Sequence, residues 1–594
     1  MTMQIPPLPV DVAAGQRMAV EADPRITTLG GALRAAAEYP VHPGGDHAII
    51  MLNSQGTERR LTYPELWIEA RRIAAGMRAH GVRQGDRVLL LLPTSETYVV
   101  TLCAAVLLRV TPCTVAAPTT RAKTDDALRY LTYVYQKLDP TLLVVPDQLQ
   151  PVLQDSALIE ARRVVTAADL AHEAPLAAEA LPVLAATHPH HIQLTSGTTN
   201  RPKGALLSHH NVIANVRGIA QAMEYAPETD VVLSWLPLYH DMGLIKLILA
   251  IYYQATIALM TPTSFLRNPL SWLRNISTYG ASLSAAPTFA YSLCIRRFDP
   301  TKLEGVDLSS WRRAFMGAEP VPRKIVEAFN ACYQSYGLSE WAAYPCYGMA
   351  ETVLATTLQL DRQDRPNRLF GFVTCDRIDA DTFRSEGRAL PVSGADADSQ
   401  PVLEVLGMGY PLQGLDLEIR GAHDQPLPDR IIGEICVRGS SLMQEYFRDP
   451  EATTMAIRDG WYHTGDRGYL VDGELYVLGR IKELIIVRGR NYQPHDIELA
   501  LEEHEHVRKD HCVVFGSYNV ERGTDDVIAL VETRATVEEQ PVLAQQLQQS
   551  LQRVFGFLAR DIVFVHHGTL PRTTSGKKQR LLAQEWYRAG KLQA

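Results

Sequence analysis

Apolar runs and amphipathic stretches alternate from residue 61 to about residue 400. Residues 62–78 place apolar positions at helical spacing and predict a helix that ends near His80, and residues 87–92 follow as an uninterrupted apolar strand. A buried strand beside an amphipathic helix is typical of a parallel sheet with helices on both faces. The same alternation returns at residues 141–145, 231–235 and 281–284. We therefore predict an α/β fold built on parallel sheets.

The pattern changes near Val402, where short strands and tight turns replace the helix–strand alternation. Residues 415–419 and 433–437 predict two of these strands, and Asp472-Gly473 predicts a hairpin turn. We expect a β-rich subdomain here, followed by a small α+β domain. The expected organisation is a large N-terminal domain at residues 1–481, an inserted subregion with a loose tail at about 359–400, and a small C-terminal domain at 482–594.

Composition and charge exclude several classes of protein. With 594 residues the chain exceeds one hydrophobic core, and 46% hydrophobic with 21% charged residues is ordinary for a globular protein. The net charge of −8 argues against a nucleic-acid partner, and the eight cysteines form no C-x-x-C pair. The first 24 residues show no basic start before an apolar block. Residues 99–108 are too short and residues 244–260 too polar to span a bilayer, so we expect a cytoplasmic protein with no membrane span.

One loop combines hydroxyls, glycines and a lysine directly after the apolar run 192–194. Glycines allow backbone N–H groups to turn toward an anion, hydroxyls donate further hydrogen bonds, and Lys203 behind Pro202 adds a positive charge. No Gly-Lys-Ser/Thr closes the loop, so it is not a Walker loop. The pattern predicts a polyphosphate clamp formed by Thr195, Ser196, Gly197, Thr198, Thr199 and Lys203. The alternative is a flexible linker.

Four further motifs follow this loop at long intervals. They are Gly317-Ala318-Glu319-Pro320, Tyr347-Gly348-Met349-Ala350-Glu351, Tyr462-His463-Thr464-Gly465-Asp466 and Pro571-Arg572-Thr573-Thr574-Ser575-Gly576-Lys577. In this order they resemble the adenylate-forming superfamily of acyl-CoA synthetases, adenylation domains and luciferases over residues 61–580. Residues 235–245, 307–311, 344–348 and 485–491 are similar in particular to the fatty acyl-AMP ligase branch. That branch also carries an insertion after the Tyr-Gly-x-x-Glu motif.

The resemblance implies that a carboxylate attacks the α-phosphorus of ATP and releases pyrophosphate. Because two anions must meet, the site needs cations and dipoles aimed at the phosphates. Lys577 would bridge the carboxylate and the α-phosphate, Lys203 would hold the β- and γ-phosphates, and Glu351 would bind Mg²⁺. His240 would act at the mouth of the acyl pocket. The alternative for Lys577 is a solvated lysine, as its neighbour Lys578 illustrates.

Other motif positions are implied to bind the nucleotide and the acid. Asp466 suits the ribose hydroxyls, because a carboxylate accepts two hydrogen bonds, and Tyr347 offers a flat face to adenine unless it is a core tyrosine. The other implied nucleotide-binding residues are Gly317, Ala318, Glu319, Gly348, Met349 and Arg480. The candidate walls of the acyl pocket are Trp235, His240, Met242, Ile245, Tyr279 and Phe289. Lys246 stands where glycine is usual in this branch.

By resemblance, Lys482 is the hinge on which a small mobile domain carrying Lys577 closes over the large one. We expect a fatty acid and Mg·ATP to give an acyl-adenylate, whose acyl group passes to the phosphopantetheine thiol of a separate acyl carrier protein, because no carrier domain follows Lys577. The alternatives are a long-chain fatty acyl-CoA synthetase and a non-catalytic module that binds an acyl group or an adenylate. The insertion disfavours the first, and retention of Lys577 disfavours the second.

Overall fold

The computed structural model describes residues 25–38, 47–52, 57–116, 124–155, 159–195, 202–360, 367–392, 401–573 and 576–592. The helices are α1 Leu29–Glu38, α2 Tyr63–Ala79, α3 Glu96–Leu107, α4 Thr124–Leu138, α5 Gln150–Gln154, α6 Ala167–Leu170, α7 His209–Ala222, α8 Asp241–Tyr253, α9 Pro262–Arg267, α10 Leu270–Tyr279, α11 Thr288–Arg296, α12 Arg323–Tyr333, α13 Ala380–Glu386, α14 Pro450–Ala456, α15 Pro494–Glu502, α16 Gln540–Phe555 and α17 Arg580–Arg588. The strands are β1 Ala48–Leu52, β2 Glu58–Thr62, β3 Arg87–Leu90, β4 Thr111–Thr114, β5 Leu142–Val145, β6 Val164–Thr166, β7 Pro189–Leu194, β8 Gly204–Ser208, β9 Val231–Ser234, β10 Thr256–Met260, β11 Leu283–Pro287, β12 Arg313–Gly317, β13 Ala343–Pro345, β14 Tyr347–Gly348, β15 Ala355–Leu358, β16 Arg368–Phe370, β17 Val373–Asp379, β18 Val402–Leu406, β19 Tyr410–Pro411, β20 Leu415–Arg420, β21 Gly433–Gly439, β22 Glu445–Tyr446, β23 Ile457–Arg458, β24 Trp461–Val471, β25 Glu474–Arg480, β26 Ile485–Val487, β27 Arg490–Tyr492, β28 Val507–Asn519, β29 Thr524–Thr533 and β30 Asp561–Val565.

One large sheet is parallel except at a single edge. In the described residues its order is β13-β12-β11-β9-β10-β1-β2, and only β2 runs antiparallel to its neighbour. The strands are covered on both faces, because Val232 of β9 packs into one apolar cluster and the next residue, Leu233, packs into another. The carboxyl ends of β9, β11, β12 and β13 lead into the segments that carry several candidate site residues, as is usual for ligand sites in parallel sheets.

A second large sheet carries the hydroxyl-rich loop. Its order in the described residues is β22-β8-β7-β4-β3-β5-β6, with parallel pairing from β7 to β6 and antiparallel pairing of β8 and β22. Leu89 and Leu90 of β3 again pack into different apolar clusters. These two sheets confirm the predicted α/β fold with parallel sheets.

Helix α2 begins where the sequence predicts, because Thr62 caps it. The N–H of Glu65 donates to Thr62 Oγ1 at 3.3 Å, and the N–H of Thr62 donates to Glu65 Oε2 at 2.9 Å. A capping box of this kind contributes on the order of 1 kcal/mol. The helix ends at Ala79, and Gly81 follows with a left-handed φ of +87°. The predicted end near His80 is confirmed.

The β-rich part is a separate sheet formed by strands between residues 415 and 480. Strands β20, β21, β24 and β23 are adjacent in that order, and β25 pairs with β24. Asp472 and Gly473 link β24 to β25 with φ values of +51° and +79°. Two consecutive left-handed residues suit a two-residue hairpin, and these residue types adopt that conformation readily. The predicted hairpin is confirmed.

In the predicted inserted subregion, β16 and β17 form a small antiparallel sheet with β18, which follows the subregion, and α13 comes after β17. Ile378 and Phe383 pack against the hairpin β24–β25, so this segment has an apolar anchor. The guanidinium of Arg384 lies 5.2 Å from the ring centre of Tyr492 in the C-terminal part. The predicted tail falls at residues 393–400, outside the described residues.

The C-terminal part has its own apolar packing. Strands β28, β29 and β30 form a sheet with an apolar cluster on each face. Helices α15 and α16 pack in one of these clusters, and α17 packs in the other. Leu501, Ala529 and Leu547 belong to the first cluster, and Val513 and Leu530 belong to the second. Both clusters contain only residues from 485 onward. The predicted α+β class of this part is confirmed.

Two further expectations concern membranes and cysteines. No helix in the described ranges combines the length and the apolar character that crossing a bilayer would require. All eight cysteines are free thiols, and six of them are buried.

Candidate active site

The predicted phosphate loop joins two antiparallel strands. β7 ends at Leu194 and β8 begins at Gly204, and the N–H of Thr195 donates to the carbonyl oxygen of Lys203 at 2.9 Å. This hydrogen bond closes the neck of the loop. A Cβ at Gly204 would lie 2.7 Å from the side chain of Ile192, so the neck is tightly packed. The predicted residues Ser196, Gly197, Thr198 and Thr199 lie outside the described residues.

Tyr446 connects Lys203 with Glu351. The ammonium of Lys203 lies 4.6 Å from the ring centre of Tyr446, and the tyrosine hydroxyl donates to Glu351 Oε1 at 2.7 Å. Burial and the adjacent Glu351 carboxylate raise the pKa of Tyr446, so its hydroxyl remains protonated and able to donate. Tyr446 reaches this position because β22 pairs with β8, directly after the loop. The tyrosine thus brings the charged loop lysine and a buried carboxylate into one cluster.

Two partners fix the carboxylate of Asp466. The hydroxyl of Tyr347 donates to Oδ2 at 2.7 Å, and Nε of Arg480 lies 3.3 Å from Oδ1. Asp466 and Arg480 face each other across β24 and β25. Burial, followed by the charge of Asp466, raises the pKa of Tyr347, and the same carboxylate raises the pKa of Arg480. The predicted adenine and ribose residues therefore come together from distant segments.

Two glycines allow the backbone around Tyr347 to pack closely. A Cβ at Gly317 would lie 2.6 Å from the carbonyl oxygen of Cys346, and a Cβ at Gly348 would lie 1.8 Å from that of Leu354. Distances this short are excluded for real side chains, so both positions require glycine. The strand end β12 consequently lies directly beside the tyrosine.

Ala318 and Glu319 follow Gly317 in the chain, Met349 follows Gly348, and all three are half-buried. Ala318 has a left-handed φ of +65°, which is uncommon for a residue with a Cβ and typical of strained functional positions. Glu319 Oε2 accepts the N–H of Phe289 at 3.3 Å. Burial raises the pKa of Glu319, and the nearby Lys577 opposes that shift.

The C-terminal loop brings Lys577 close to Phe289 and Glu319. Gly576 has a left-handed φ of +92°, and a Cβ there would lie 3.2 Å from the ring of Phe289. Burial lowers the pKa of Lys577, and Asp241 and Glu319 oppose the shift through their charges. The lysine therefore lies within electrostatic reach of carboxylates in the large N-terminal part.

His240 and Asp241 form the start of α8. His240 Nδ1 lies 2.5 Å from Asp241 Oδ1, which also accepts the N–H of Met242 at 2.6 Å. Burial would raise the pKa of Asp241, but the neighbouring His240 and Lys577 outweigh it and hold that pKa below its usual range. Asp241 is consequently an anion that faces the catalytic lysine candidate.

The predicted acyl walls separate into two groups. The ring of Trp235 stacks on Phe265 at 3.9 Å between centroids and meets the edge of Phe289 at 6.1 Å, so these rings form one wall next to Lys577. Met242 is buried in the same apolar cluster, and Ile245 is buried in the neighbouring one. Tyr279 packs against the same apolar cluster as Phe289, from the edge of the sheet. Its hydroxyl donates to Glu58 at 2.7 Å, at the β2 edge of the sheet.

The predicted hinge, Lys482, lies on an exposed turn, Ile481–Glu483, between β25 and β26. The next residue, Glu483, pairs at 2.9 Å with Arg580, the first residue of α17. The turn thus lies between the β-rich part and the C-terminal part.

Two residues that contact the predicted site residues, Asp241 and Tyr446, were not themselves predicted from the sequence. Asp241 follows His240 within a motif that we did single out, so its position beside the histidine was the available signal. Tyr446 lies on a two-residue strand with no motif around it. Only the pairing of β22 with β8 brings it to Lys203.

Family models match most of the chain. One described as AMP-binding enzyme matches residues 37–447, and one described as Disco-interacting protein 2-like, AMP domain, matches residues 482–594. The chain belongs to the AMP-binding enzyme family. This membership confirms the adenylate-forming resemblance that the motifs indicated.

Individual relatives of this AMP-binding enzyme are named as fatty-acid ligases. Medium-chain-fatty-acid–[acyl-carrier-protein] ligase TtuA of Teredinibacter turnerae is 34% identical over 412 residues, which are 66% of this chain and 61% of that protein. Long-chain-fatty-acid–AMP ligase FadD26 of Mycobacterium marinum is 28% identical over 562 residues, covering 91% of this chain and 93% of that protein. A solved structure from studies of fatty acyl-adenylate ligases of E. coli and L. pneumophila superimposes with a TM-score of 0.86 at 30% identity, covering 95% of this chain and 98% of the other.

Proposed function

We propose that this AMP-binding enzyme activates a fatty acid with Mg·ATP to an acyl-adenylate and then passes the acyl group to the thiol of a separate acyl carrier protein. The observation that carries the proposal is the position of Lys577, which interacts electrostatically with Asp241 on the acyl side and with Asp466 on the nucleotide side. A cation between these two sides is what the joining of two anions requires. The fatty-acid names of TtuA and FadD26 support the substrate, and the name of TtuA supports the acceptor.

The residues divide the adenylation step between them. A carboxylate oxygen of the acid attacks the α-phosphorus, the bond to the bridging oxygen breaks, and pyrophosphate leaves with that electron pair. Lys577 would reduce the repulsion between the carboxylate and the α-phosphate, and Lys203 would hold the leaving pyrophosphate. Asp466, fixed by Tyr347 and Arg480, would accept hydrogen bonds from the ribose hydroxyls.

Glu351 would hold Mg²⁺ in this scheme. Its carboxylate is buried, is oriented by the Tyr446 hydroxyl and lies beside the ring that Lys203 covers, so a hard oxygen donor stands next to the phosphate loop. Bound Mg²⁺ would supply charge neutralisation of the polyphosphate.

We also infer that the chain divides into a large domain at residues 1–481 and a small domain at residues 482–594, with Lys482 as the hinge. The separate apolar clusters from residue 485 onward support this division. Proline fixes φ, so Lys482→Pro should restrict rotation at the turn. We expect this variant to form acyl-adenylate and to lose acyl transfer.

The insertion supports a carrier protein rather than CoA as acceptor. Asp381 pairs with Arg490 at 2.9 Å, and Arg384 lies over the ring of Tyr492 at 5.2 Å. These contacts join helix α13 of the insertion to the C-terminal part in the arrangement in which Lys577 lies beside Asp241 and Glu319. A rotation of the C-terminal part toward a CoA-accepting arrangement would have to break them.

Mass spectrometry of the purified chain with Mg·ATP and a series of fatty acids tests the proposal. CoA and a phosphopantetheine-loaded acyl carrier protein are added in separate reactions. We expect acyl-AMP in every productive reaction and acyl transfer to the carrier protein only. Lys577→Ala should lose acyl-AMP formation, whereas Lys591→Ala at an exposed position should not. Rapid acyl-CoA formation would overturn the assigned acceptor, and absence of acyl-AMP with every acid would overturn the assigned reaction.

A further inference from the structure

Lys246 is an exception on an otherwise buried helix. Its neighbours on α8, Ile245 and Leu247, are 1% and 0% exposed, whereas Lys246 retains accessible surface. Met242 lies one turn earlier on the same face of the helix, and it belongs to the apolar cluster that contains Trp235 and Ala285 and packs against Phe289. Lys246 therefore projects toward the predicted acyl walls, and burial there lowers its pKa to about 7.

The amine of Lys246 has few partners. Nζ donates to the carbonyl oxygen of Ala285 on β11 at 3.2 Å. Within the part of the chain that the structure describes, the one ionisable group that affects its pKa is the thiol of Cys346. The lowered pKa means that the ammonium form lacks a compensating anion among the described residues. A bound carboxylate would favour that form and would accept its available hydrogens.

Lys246 lies close to residues of the proposed reaction site, because it interacts with Cys346. Cys346 directly precedes Tyr347, which contacts Asp466, and both Cys346 and Tyr347 are half-buried. At the start of α8, Asp241 interacts with Lys577. Lys246 lies five positions after Asp241, about 7.5 Å further along the helix axis, on the face that it shares with Met242. An acyl chain that runs from the reacting carboxylate past Met242 would reach the lysine.

We propose that Lys246 binds a second carboxylate on the acyl substrate, so that the preferred acid is a dicarboxylic acid activated at one end. This inference rests on the proposed adenylation function and specifies its substrate class. A methyl-terminated chain at this place would enclose the ammonium against apolar groups, which is unfavourable. A carboxylate would accept the available hydrogens in charge-assisted hydrogen bonds and compensate the charge. The usual glycine at this position offers neither interaction.

The test compares dicarboxylic and monocarboxylic acids of matched chain length. Acyl-AMP formation gives kcat and KM, and titration calorimetry gives binding without turnover. For the unsubstituted protein we expect kcat/KM to favour the dicarboxylic series. In Lys246→Met, the KM for dicarboxylic acids should rise about 10- to 100-fold with little change in kcat, because one charge-assisted contact is lost. In the same variant, kcat/KM for monocarboxylic acids should rise relative to kcat/KM for dicarboxylic acids.

Two controls keep the test decisive. Lys302→Met alters an exposed lysine that is 64% accessible, and it should leave the preference unchanged. Lys246→Gln retains a polar side chain without the charge and replaces the methionine variant if the latter does not fold. A preference for monocarboxylic acids, or an unchanged ratio in both variants, overturns the inference. If no acid gives acyl-AMP but a dicarboxylic acid binds and Lys246→Met abolishes that binding, the adenylation function fails while the carboxylate site stands.

Discussion

Lys577 and Lys578 are consecutive in the chain but bind different parts of the protein. Lys577 interacts with Asp241 and Glu319 in the large N-terminal part. Lys578 Nζ instead donates to Glu498 at 3.0 Å and to Glu502 at 3.2 Å, both on α15 of the C-terminal part. Successive side chains of extended backbone point to opposite sides, so one short loop serves both. We infer that Lys577 acts on the substrates and that Lys578 holds the loop in place.

Replacing Lys577 should affect rate and not stability. We expect Lys577→Ala to reduce the rate of acyl-AMP formation by about 10²- to 10³-fold, the usual effect of removing one group that stabilises developing charge. Its thermal unfolding should be unchanged, because no ion pair of the C-terminal core is lost. Single-turnover measurement of acyl-AMP gives the rate. A variant that keeps the original rate would remove Lys577 from the mechanism.

Replacing Glu498 should affect stability and not the rate of acyl-AMP formation. Burial alone would raise the pKa of Glu498, but Arg580 and Lys578 outweigh it and hold it at about 2. Breaking such a buried pair costs roughly 3–5 kcal/mol, because two cations lose their counterion. Glu498→Gln should lower the stability of the C-terminal part by that amount, measured by hydrogen exchange across β28. Glu505→Gln, at a side chain that is 85% exposed, should change it by less than about 0.5 kcal/mol.

Asp466 should determine the affinity for ATP. Asp466→Asn keeps the shape of the side chain but removes the negative charge. That charge pairs with Arg480, and the carboxylate accepts a hydrogen bond from the Tyr347 hydroxyl. We expect KM for ATP to rise about 10- to 100-fold with a smaller effect on KM for the acid. The loss should shrink when 2′-deoxy-ATP replaces ATP, since one ribose hydroxyl is then absent in both proteins. An equal loss with both nucleotides would argue against a ribose contact.

The insertion should limit the use of CoA. Arg384→Ala removes the cation from the ring of Tyr492, and Asp381→Asn removes the partner of Arg490. Contacts of these kinds contribute about 0.5–1 kcal/mol each, so the combined variant should raise acyl-CoA formation by about five- to thirtyfold. Arg388→Ala, on the same insertion but paired locally with Glu386, is the matched control. If acyl-CoA formation does not rise in the combined variant, these contacts of the insertion do not determine the choice of acceptor.

The C-terminal part should lose stability in acid through Glu532. Burial would raise the pKa of Glu532, but hydrogen bonds from His511, His567 and the backbone outweigh it and hold it at about 2, below its usual value of 4.5. Because the unfolded chain binds this proton more readily, the stabilisation is complete above about pH 4.5 and is lost as pH falls toward 2. Urea midpoints of the unsubstituted protein and of Glu532→Gln should converge over that interval. The exposed Glu521→Gln should follow the unsubstituted protein at every pH.

The sequence determined much of the fold and the family. Apolar strands next to amphipathic helices predicted the parallel sheets, and Asp472-Gly473 predicted its hairpin, because these signals depend on local backbone preference and on one buried face. Membership of the AMP-binding enzyme family followed from motifs whose order along the chain is itself the signal. Loops such as the one ending at Lys203 could be singled out because phosphate chemistry requires their residue types close together in sequence.

The tertiary structure decided which residues meet. Tyr446 joins Lys203 to Glu351 through pairing of β22 with β8, a contact between residues more than 200 positions apart that no local pattern encodes. Tyr279 packs against the same apolar cluster as Trp235, and only the fold shows that its hydroxyl is held by Glu58 on β2. Side-chain direction, strand register and burial depend on packing between distant segments. For that reason the roles of Lys577 and Lys578, which differ by one position in the sequence, separate only in three dimensions.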